Sequence, residues 1–316
     1  MNVPPDHLTP DRFAVHRHRT PSGGELAYLR ENPGGVPLLL VHGWPETKRI
    51  WWRNIAPLAA AGFEVIVPDL RGFGDSSEAT DGFYDPAANA VDIHDLVRGA
   101  LGHERCFAAG GDFGGVVVQE LGLRFGGFLA AQCLFNTILP HLREEYERAG
   151  ITPGTPPRSR MAADYFRRQG TDADALIAEL ATRQQRRRYV GEMYGHRFWA
   201  TAGAFTVEAI DFMTEPFGDA DRLRASFGLY EAAMGTRPVA DAPAFGVRSD
   251  VPTVALHGPD DHVIWPDFPE RCEVAFSNLA GPYVVPRAGH FLQWERAHLL
   301  NQTLRGFFGS FVDPAR

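Results

Sequence analysis

The sequence predicts an α/β protein: a doubly wound, mostly parallel sheet with a helical segment inserted into it. Three observations carry that expectation. Short apolar runs recur without polar alternation, the pattern of strands buried on both faces. Helix-like stretches separate them, so strand and helix alternate along the chain. Between Thr137 and about Val247 the strand-like runs vanish, charged helical patterns take over, and the alternation then resumes. The expected division is a core made of residues 1–136 and 248–316 with a helical insert of residues 137–247.

In order, residues 1–12 read as a loose lead-in. Phe13–His18 and Glu25–Arg30 are strands, joined as an antiparallel hairpin across Thr20-Pro21-Ser22-Gly23-Gly24. Pro37–Val41 is a buried strand that ends at His42-Gly43. Trp51–Ala61 is a helix stopped by Gly62, and Glu64–Asp69 is the next strand. Asp85 is placed to cap a long helix over Ala87–Leu101, with Pro86 in its first turn. Arg105–Ala109 is a strand, Val116–Phe125 a helix and Ala131–Phe135 a strand. The insert is entered through Pro153, Pro156 and Pro157 and left through Pro238 and Pro243. Its helices are expected over Arg158–Arg168, Ala173–Tyr194 and Asp219–Met234. Pro252–Leu256 and Pro282–Val285 are strands, and Phe291–Phe308 is a closing helix.

Of the 316 residues, 44% are hydrophobic, enough for a sizeable core. The formal net charge of −8 carries no nucleic-acid footprint. The basic cluster Arg183–Arg188 reads as a solvated helix face. Cys106, Cys133 and Cys272 sit in apolar surroundings without metal-like spacing, which suits buried thiols in a reducing compartment. Met1–Asp6 has no basic stretch leading into an apolar one, and no apolar run approaches the roughly 18 residues of a membrane helix. The expectation is a soluble cytoplasmic protein with no cofactor, no metal, and no membrane or nucleic-acid partner. A homodimer is left as a candidate assembly.

The chemistry centres on Ala108-Ala109-Gly110-Gly111-Asp112-Phe113-Gly114-Gly115. An apolar run leads in and a helical run leads out, the arrangement of a nucleophile elbow. The apex usually carries Ser; here it is Asp112. A carboxylate, with an unperturbed pKa of roughly 4, is already a nucleophile near neutral pH and forms an ester with the carbon it attacks. Alone, Gly-X-Asp-X-Gly also suits a glycine-rich turn with an incidental Asp. Active groups in such sheets gather at the C-terminal strand ends. Three further ends carry suggestive residues: His42-Gly43-Trp44-Pro45, Gly258-Pro259-Asp260-Asp261 and Gly289-His290.

With these motifs in the order nucleophile, acid, His, the chain resembles the α/β-hydrolase superfamily along most of its length. Within it, the chain looks like the branch with an Asp nucleophile, the epoxide hydrolases and haloalkane dehalogenases. The matching segments are His42–Glu46, Asp69–Ser76, Gly110–Gly115, Gly258–Asp261 and Gly289–Glu295. The resemblance implies that Asp112 is the nucleophile and His290 the general base, a role that an imidazole with a pKa near 6.5 can fill. Family spacing places the relay acid three residues after the glycine, at Asp261, with Asp260 as the competitor. The backbone N–H groups of Trp44 and Phe113 would form an oxyanion hole, and the Trp44-Pro45 bond would be cis. His94, His257, His262 and the Asp69–Ser76 stretch are expected to be structural.

The division between the two activities rests on fewer residues. A dehalogenase commonly binds halide with an indole N–H just after the nucleophile; this chain has Phe113 there. Fluoroacetate dehalogenases tend to have Arg at that position, also missing here. Trp44 offers an indole of its own, but Pro45 is the residue typical of epoxide hydrolases. An epoxide hydrolase protonates the ring oxygen with cap tyrosines. The stretch Arg224–Ala232 resembles the one carrying the second of these, which makes Tyr230 the candidate, although Glu231 stands where Arg usually follows. Tyr165 is the candidate for the first, with Tyr189 and Tyr194 as alternatives. The implied function is hydrolysis of a small apolar epoxide by water to a vicinal diol. Dehalogenation of a haloalkane or haloacid, and a non-catalytic small-molecule receptor, are the competing readings.

Overall fold

Apolar runs, broken only by the buried Glu64 and Gln132, become the interior strands of one sheet. The computed structural model describes residues 8–152, 160–195 and 199–312. Residues 1–7 of the expected lead-in, Pro153, Pro156 and Pro157, and the expected helix start at Arg158 lie outside them. The hairpin forms from β1 (Val15–Arg19) and β2 (Glu25–Glu31). The buried strands are β3 (Val36–Val41), β4 (Phe63–Pro68), β5 (Cys106–Gly111), β6 (Leu129–Phe135) and β7 (Thr253–His257). The last strand is β8 (Leu279–Val284). The order is β1-β2-β4-β3-β5-β6-β7-β8; β1, β2 and β4 pair antiparallel and the remaining pairs are parallel. This is the expected doubly wound, mostly parallel sheet.

Register positions the site. Val41 pairs with Gly110, Gly111 with Phe135, and Phe135 with Leu256. The ends of β3, β5, β6 and β7 are therefore level, and the loops leaving them emerge side by side. The chain runs from β3 to β4 on one side and returns with β5 on the other. The gap between β3 and β5 is thus the switch point at which open α/β sheets place ligands.

Around the sheet lie α1 (Ile55–Ala60), α2 (Pro86–His94) and α3 (Asp112–Arg124), with α11 (Phe268–Ala275), α12 (Leu292–Glu295) and α13 (Ala297–Gly309) after β7. Asp85 caps α2 as expected, accepting from the Ala88 N–H at 3.2 Å. The described elements between β6 and β7 are all helical. They are α4 (Arg143–Arg148), α5 (Arg160–Thr171), α6 (Ala173–Glu179), α7 (Arg183–Gly195), α8 (Val207–Thr214), α9 (Ala220–Ser226) and α10 (Gly228–Met234).

Several expected helices are shorter than the sequence patterns suggest. Trp51–Ala61 is helical only from Ile55, after a turn of 3-10 helix over Lys48–Trp51. Ala173–Tyr194 breaks before Arg183, where Thr182 and Gln185 form a reciprocal capping box. The Gln185 Oε1 accepts from the Thr182 N–H at 2.9 Å, and the Thr182 Oγ1 accepts from the Gln185 N–H at 3.2 Å. Asp219–Met234 breaks after Ser226, whose hydroxyl donates to the Leu223 carbonyl at 2.7 Å and competes with the helix ladder. The closing helix breaks at Arg296. Three arginines of α7 are ion-paired, Arg183 with Glu215, Arg187 with Asp211 and Arg188 with Glu192, and Arg186 donates to the Gly218, Leu180 and Ala181 carbonyls. Cys106, Cys133 and Cys272 are buried and unbridged. Among the described residues, no helix is long and apolar enough to cross a membrane.

Replacing Thr182 by Ala removes the hydroxyl that accepts from the Gln185 N–H and should lower stability by about 1 kcal/mol. Denaturant unfolding of T182A beside the parent measures it; an unchanged midpoint would contradict the capping role.

Candidate active site

Asp112 opens α3 immediately after β5, in a left-handed backbone conformation with φ 47°. Such a conformation needs outside support in a non-glycine residue. The Asp112 N–H donates to the Asn136 carbonyl at 2.9 Å, and the Thr137 hydroxyl donates to the Asp112 carbonyl at 2.5 Å. The helix can start this close to β3 because residue 114 is Gly; a Cβ there would lie 2.7 Å from the His42 carbonyl oxygen.

The strand ends on either side supply the carboxylate's partners. After β3, the Trp44 N–H donates to Asp112 Oδ1 at 2.8 Å, and the Trp44-Pro45 peptide bond is cis. After β8, the His290 Nε2 lies 3.3 Å from Asp112 Oδ2, close enough for an ion pair but without the alignment of a hydrogen bond. Phe113 sits in the first turn of α3, where backbone N–H groups have no partner from within the helix. After β7, Asp261 faces the other side of the imidazole, with its Oδ2 2.9 Å from Nδ1. The Asp261 Oδ1 accepts from the Val263 and Ile264 N–H groups at 2.7 and 3.2 Å, which fixes the carboxylate. The competitor Asp260 points elsewhere and accepts from the Thr201 hydroxyl at 3.3 Å.

The His290 side chain is fully buried. Burial opposes a charge on the ring, but the carboxylate of Asp261 and then that of Asp112 outweigh it. The imidazole pKa is held well above its usual value. His42 is the opposite case. Burial pushes its pKa down to about 4; its Nε2 accepts from the Leu70 N–H at 2.9 Å, so it is a neutral structural ring. Glu46 is also buried, and burial raises its pKa to about 7; it accepts from the Gly43 N–H at 2.6 Å and the Gln293 amide at 2.7 Å. In the Asp69–Ser76 stretch, Lys48 is clamped between Asp69 and Asp75.

Above Asp112 the insert contributes aromatic rings. Tyr165 of α5 stacks on Trp44, with centroids 5.4 Å apart and planes at 9°. Tyr230 of α10 meets Tyr165 edge-on at 5.7 Å. Burial first, then the charge of Asp112, raises the Tyr165 pKa well above 10. Burial, neighbouring Tyr165 and Asp112 do the same for Tyr230. Both phenols therefore stay protonated at any ordinary pH and can donate. The alternative tyrosines are committed elsewhere: the Tyr194 hydroxyl donates to the Pro45 carbonyl, and the Tyr189 hydroxyl accepts from Gln169 at 2.8 Å. Glu231 brackets Arg224 and Arg237, at 2.8 and 2.7 Å. The Trp44 indole is not free for a ligand, because its Nε1 donates to the buried Ser226 hydroxyl at 3.1 Å. His94 stacks on Phe125 with centroids 3.8 Å apart, and His257 stacks on Phe268 at 5.8 Å.

The seven residues singled out as nucleophile, acid, base, oxyanion donors and cap tyrosines thus gather around Asp112 at the C-terminal end of the sheet. Two neighbours fall outside that set. Asn136, directly after β6, donates from Nδ2 to the Gly289 and His290 carbonyls at 2.7 and 3.2 Å. Its Oδ1 accepts from the Gly258 N–H at 2.9 Å. It braces the elbow, the acid loop and the His loop together. A polar residue right after an apolar strand is the one sequence signal that marks it. Trp199 meets Tyr165 at 5.0 Å and stands edge-on to His290 at 5.1 Å. No periodic pattern surrounds it.

Residues 36–297 match the protein family described as alpha/beta hydrolase fold. Over 105 residues the chain is 40% identical to a soluble epoxide hydrolase of Corynebacterium sp. (strain C12), a match covering 33% of this chain and 35% of that relative. Epoxide hydrolase A of Mycobacterium tuberculosis is 29% identical over 298 residues, covering 84% of this chain and 87% of the relative. The solved structure of epoxide hydrolase CorEH superposes with a TM-score of 0.81 at 21% identity, covering 95% of this chain and all of the other.

His290 should still carry its proton at pH 7, above the ordinary midpoint of about 6.5. NMR of the imidazole protons, assigned by their loss in H290Q, measures this; a midpoint below 6.5 would contradict the pairing. Because the folded pKa exceeds the unfolded one, the charged ring contributes stability below the unfolded value. That contribution fades as pH rises through the folded one.

Proposed function

The chain belongs to the α/β-hydrolase fold family, and we propose that it is an epoxide hydrolase that opens its substrate through an ester on Asp112. The observation that carries the reading is the pair of tyrosines, Tyr165 and Tyr230, set edge-on to each other and packed on Trp44, whose backbone N–H holds the Asp112 carboxylate. An epoxide needs a nucleophile at carbon and a proton at oxygen. A halide leaving group needs N–H donors instead. Phe113 offers no side-chain donor, and the Trp44 indole is spent on Ser226.

The proposed reaction has two halves, ester formation and ester hydrolysis. Oδ1 of Asp112 is held by the Trp44 N–H, so Oδ2 attacks the epoxide carbon from the side opposite the breaking C–O bond. One phenol gives its proton to the ring oxygen, leaving a hydroxyl and a phenolate. The product is a glycol ester of Asp112. Ester formation removes the Asp112 charge, one of the two that hold the His290 pKa up, so the imidazolium releases its proton to solvent and the ring becomes a neutral base; it takes a proton back from solvent once Asp112 is again a carboxylate. Nε2 takes a proton from water, and the hydroxide adds to the ester carbonyl. The charge develops on Oδ1, facing the N–H groups of Trp44 and Phe113, each donor typically worth about 10²–10³ in rate. Asp261 holds the imidazolium through Nδ1. Collapse breaks the bond to the glycol oxygen, which takes the proton from Nε2, and the diol leaves. The Asp112 carboxyl proton returns to the phenolate.

In this reading residues 137–247 act as a cap whose rings line a binding space for a small apolar epoxide, with water as the second substrate. No cofactor takes part.

D112A should lower turnover by about four orders of magnitude or more. H290A should accumulate the ester, seen as the substrate's mass added to the intact protein. Parent-rate turnover of an epoxide by H290A would contradict the scheme. Halide release from a bromoalkane, with no diol from any epoxide in a panel of terminal, aryl and cyclic compounds, would favour dehalogenation. Saturable binding without any covalent adduct would favour a receptor.

A further inference from the structure

The loop that carries His290 is tied down by a side chain that does not touch the triad. Glu295 ends α12, five residues after His290. Its Oε2 accepts from the Gly289 N–H and from the Thr201 N–H, both at 2.9 Å, and its Oε1 accepts from the Phe291 N–H at 3.1 Å. Gly289 and Phe291 flank His290 on either side. Thr201 belongs to the helical insert. The N–H between them, that of His290, donates to the Trp199 carbonyl at 2.5 Å. Three consecutive N–H groups of the loop are thus engaged, two by one carboxylate and the third by the insert. Hydrogen bonds to a carboxylate are roughly twice as strong as neutral ones. The clamp also explains the glycine. A Cβ at residue 289 would lie 2.5 Å from the Trp199 carbonyl oxygen and 2.9 Å from Glu295 Oε1.

We propose that Glu295 is a positioning residue: by binding the 289–291 loop to the Trp199–Thr201 segment, it aims Nε2 of His290 at the water that hydrolyses the ester. The inference rests on the reading of Asp112 as the ester-forming nucleophile. Its consequence differs between the two half-reactions. Attack by Asp112 uses a carboxylate held by the Trp44 N–H and the start of α3, none of which Glu295 touches. Water activation depends on where the imidazole sits, and the imidazole is carried by the clamped loop. The same clamp joins that loop to Trp199, whose ring packs on Tyr165.

The test is single-turnover kinetics of E295Q and the parent with one epoxide, following ester and diol by mass. Gln keeps the shape and one carbonyl acceptor but sets an amide N–H₂ against a backbone N–H. The ester should form at the parent rate and then break down about 100-fold more slowly, the scale expected when a reacting group is displaced by about 1 Å. E295A, which removes all three bonds, should be slower still in breakdown alone. Normal ester formation in the same variant shows that the fold and the Asp112 pocket are intact. Ester breakdown by E295Q at the parent rate, or an equal loss in both half-reactions, would overturn the role of Glu295. An absence of any ester in H290A would instead strike at the reading of Asp112 and take this inference with it.

Discussion

Asp112 is held in a left-handed backbone conformation, and the loops around it converge to keep it there. A non-glycine residue in that region costs about 1–3 kcal/mol, which the surroundings must offset. Here the support comes from several strand ends at once. The Asn136 carbonyl and Thr137 hydroxyl follow β6, the Trp44 N–H follows β3, and His290 follows β8. The level register of β3, β5, β6 and β7 is what makes this convergence possible. A carboxylate projected from a tight apex stands clear of its own strand and can be approached by a carbon on one side and an imidazole on the other.

The electrostatics follow from the same geometry. Burying ionisable groups is costly unless each finds a partner. The site meets that condition by pairing in series: Asp112 with His290, His290 with Asp261, and Asp261 with two backbone N–H groups. The series also gives the proposed reaction its order. While Asp112 is charged, His290 is held as a cation; once Asp112 is esterified, that hold weakens and the ring can act as a base. Burial first, with the charge of Asp112 added to it, keeps both phenols protonated, the state that the proposed ring opening requires of its proton donors.

Much of this is legible in the sequence because the informative residues are local. Each strand is an apolar run, the elbow is one contiguous stretch, and the acid and base follow glycines at strand ends. Asp261 and not Asp260 reaches His290, as the spacing implies. Helix lengths are less legible. Thr182 and Gln185 do spell a capping signal, but the amphipathic pattern runs straight through it, and periodicity alone cannot see a cap. Ser226 looks like any helical serine until Trp44, distant in sequence, is known to donate to it. Asn136 and Glu295 hide for another reason. Their partners are backbone groups of other loops, and no side-chain pattern marks a residue whose task is to satisfy remote N–H and C=O groups. Trp199 lies in an irregular stretch, where an aromatic residue carries no periodic clue.

The most direct test of the ester mechanism is the fate of oxygen. A single turnover, with enzyme in excess, is run in water enriched in the heavy oxygen isotope, and both the diol and the peptide containing Asp112 are weighed. If Asp112 attacks the epoxide and water then attacks the ester carbonyl, the diol takes its new oxygen from Asp112 and stays unlabelled, while the Asp112 peptide gains one heavy oxygen. A labelled diol with an unlabelled Asp112 peptide would mean that water attacks the epoxide directly, and the account of Asp112 as nucleophile would be wrong.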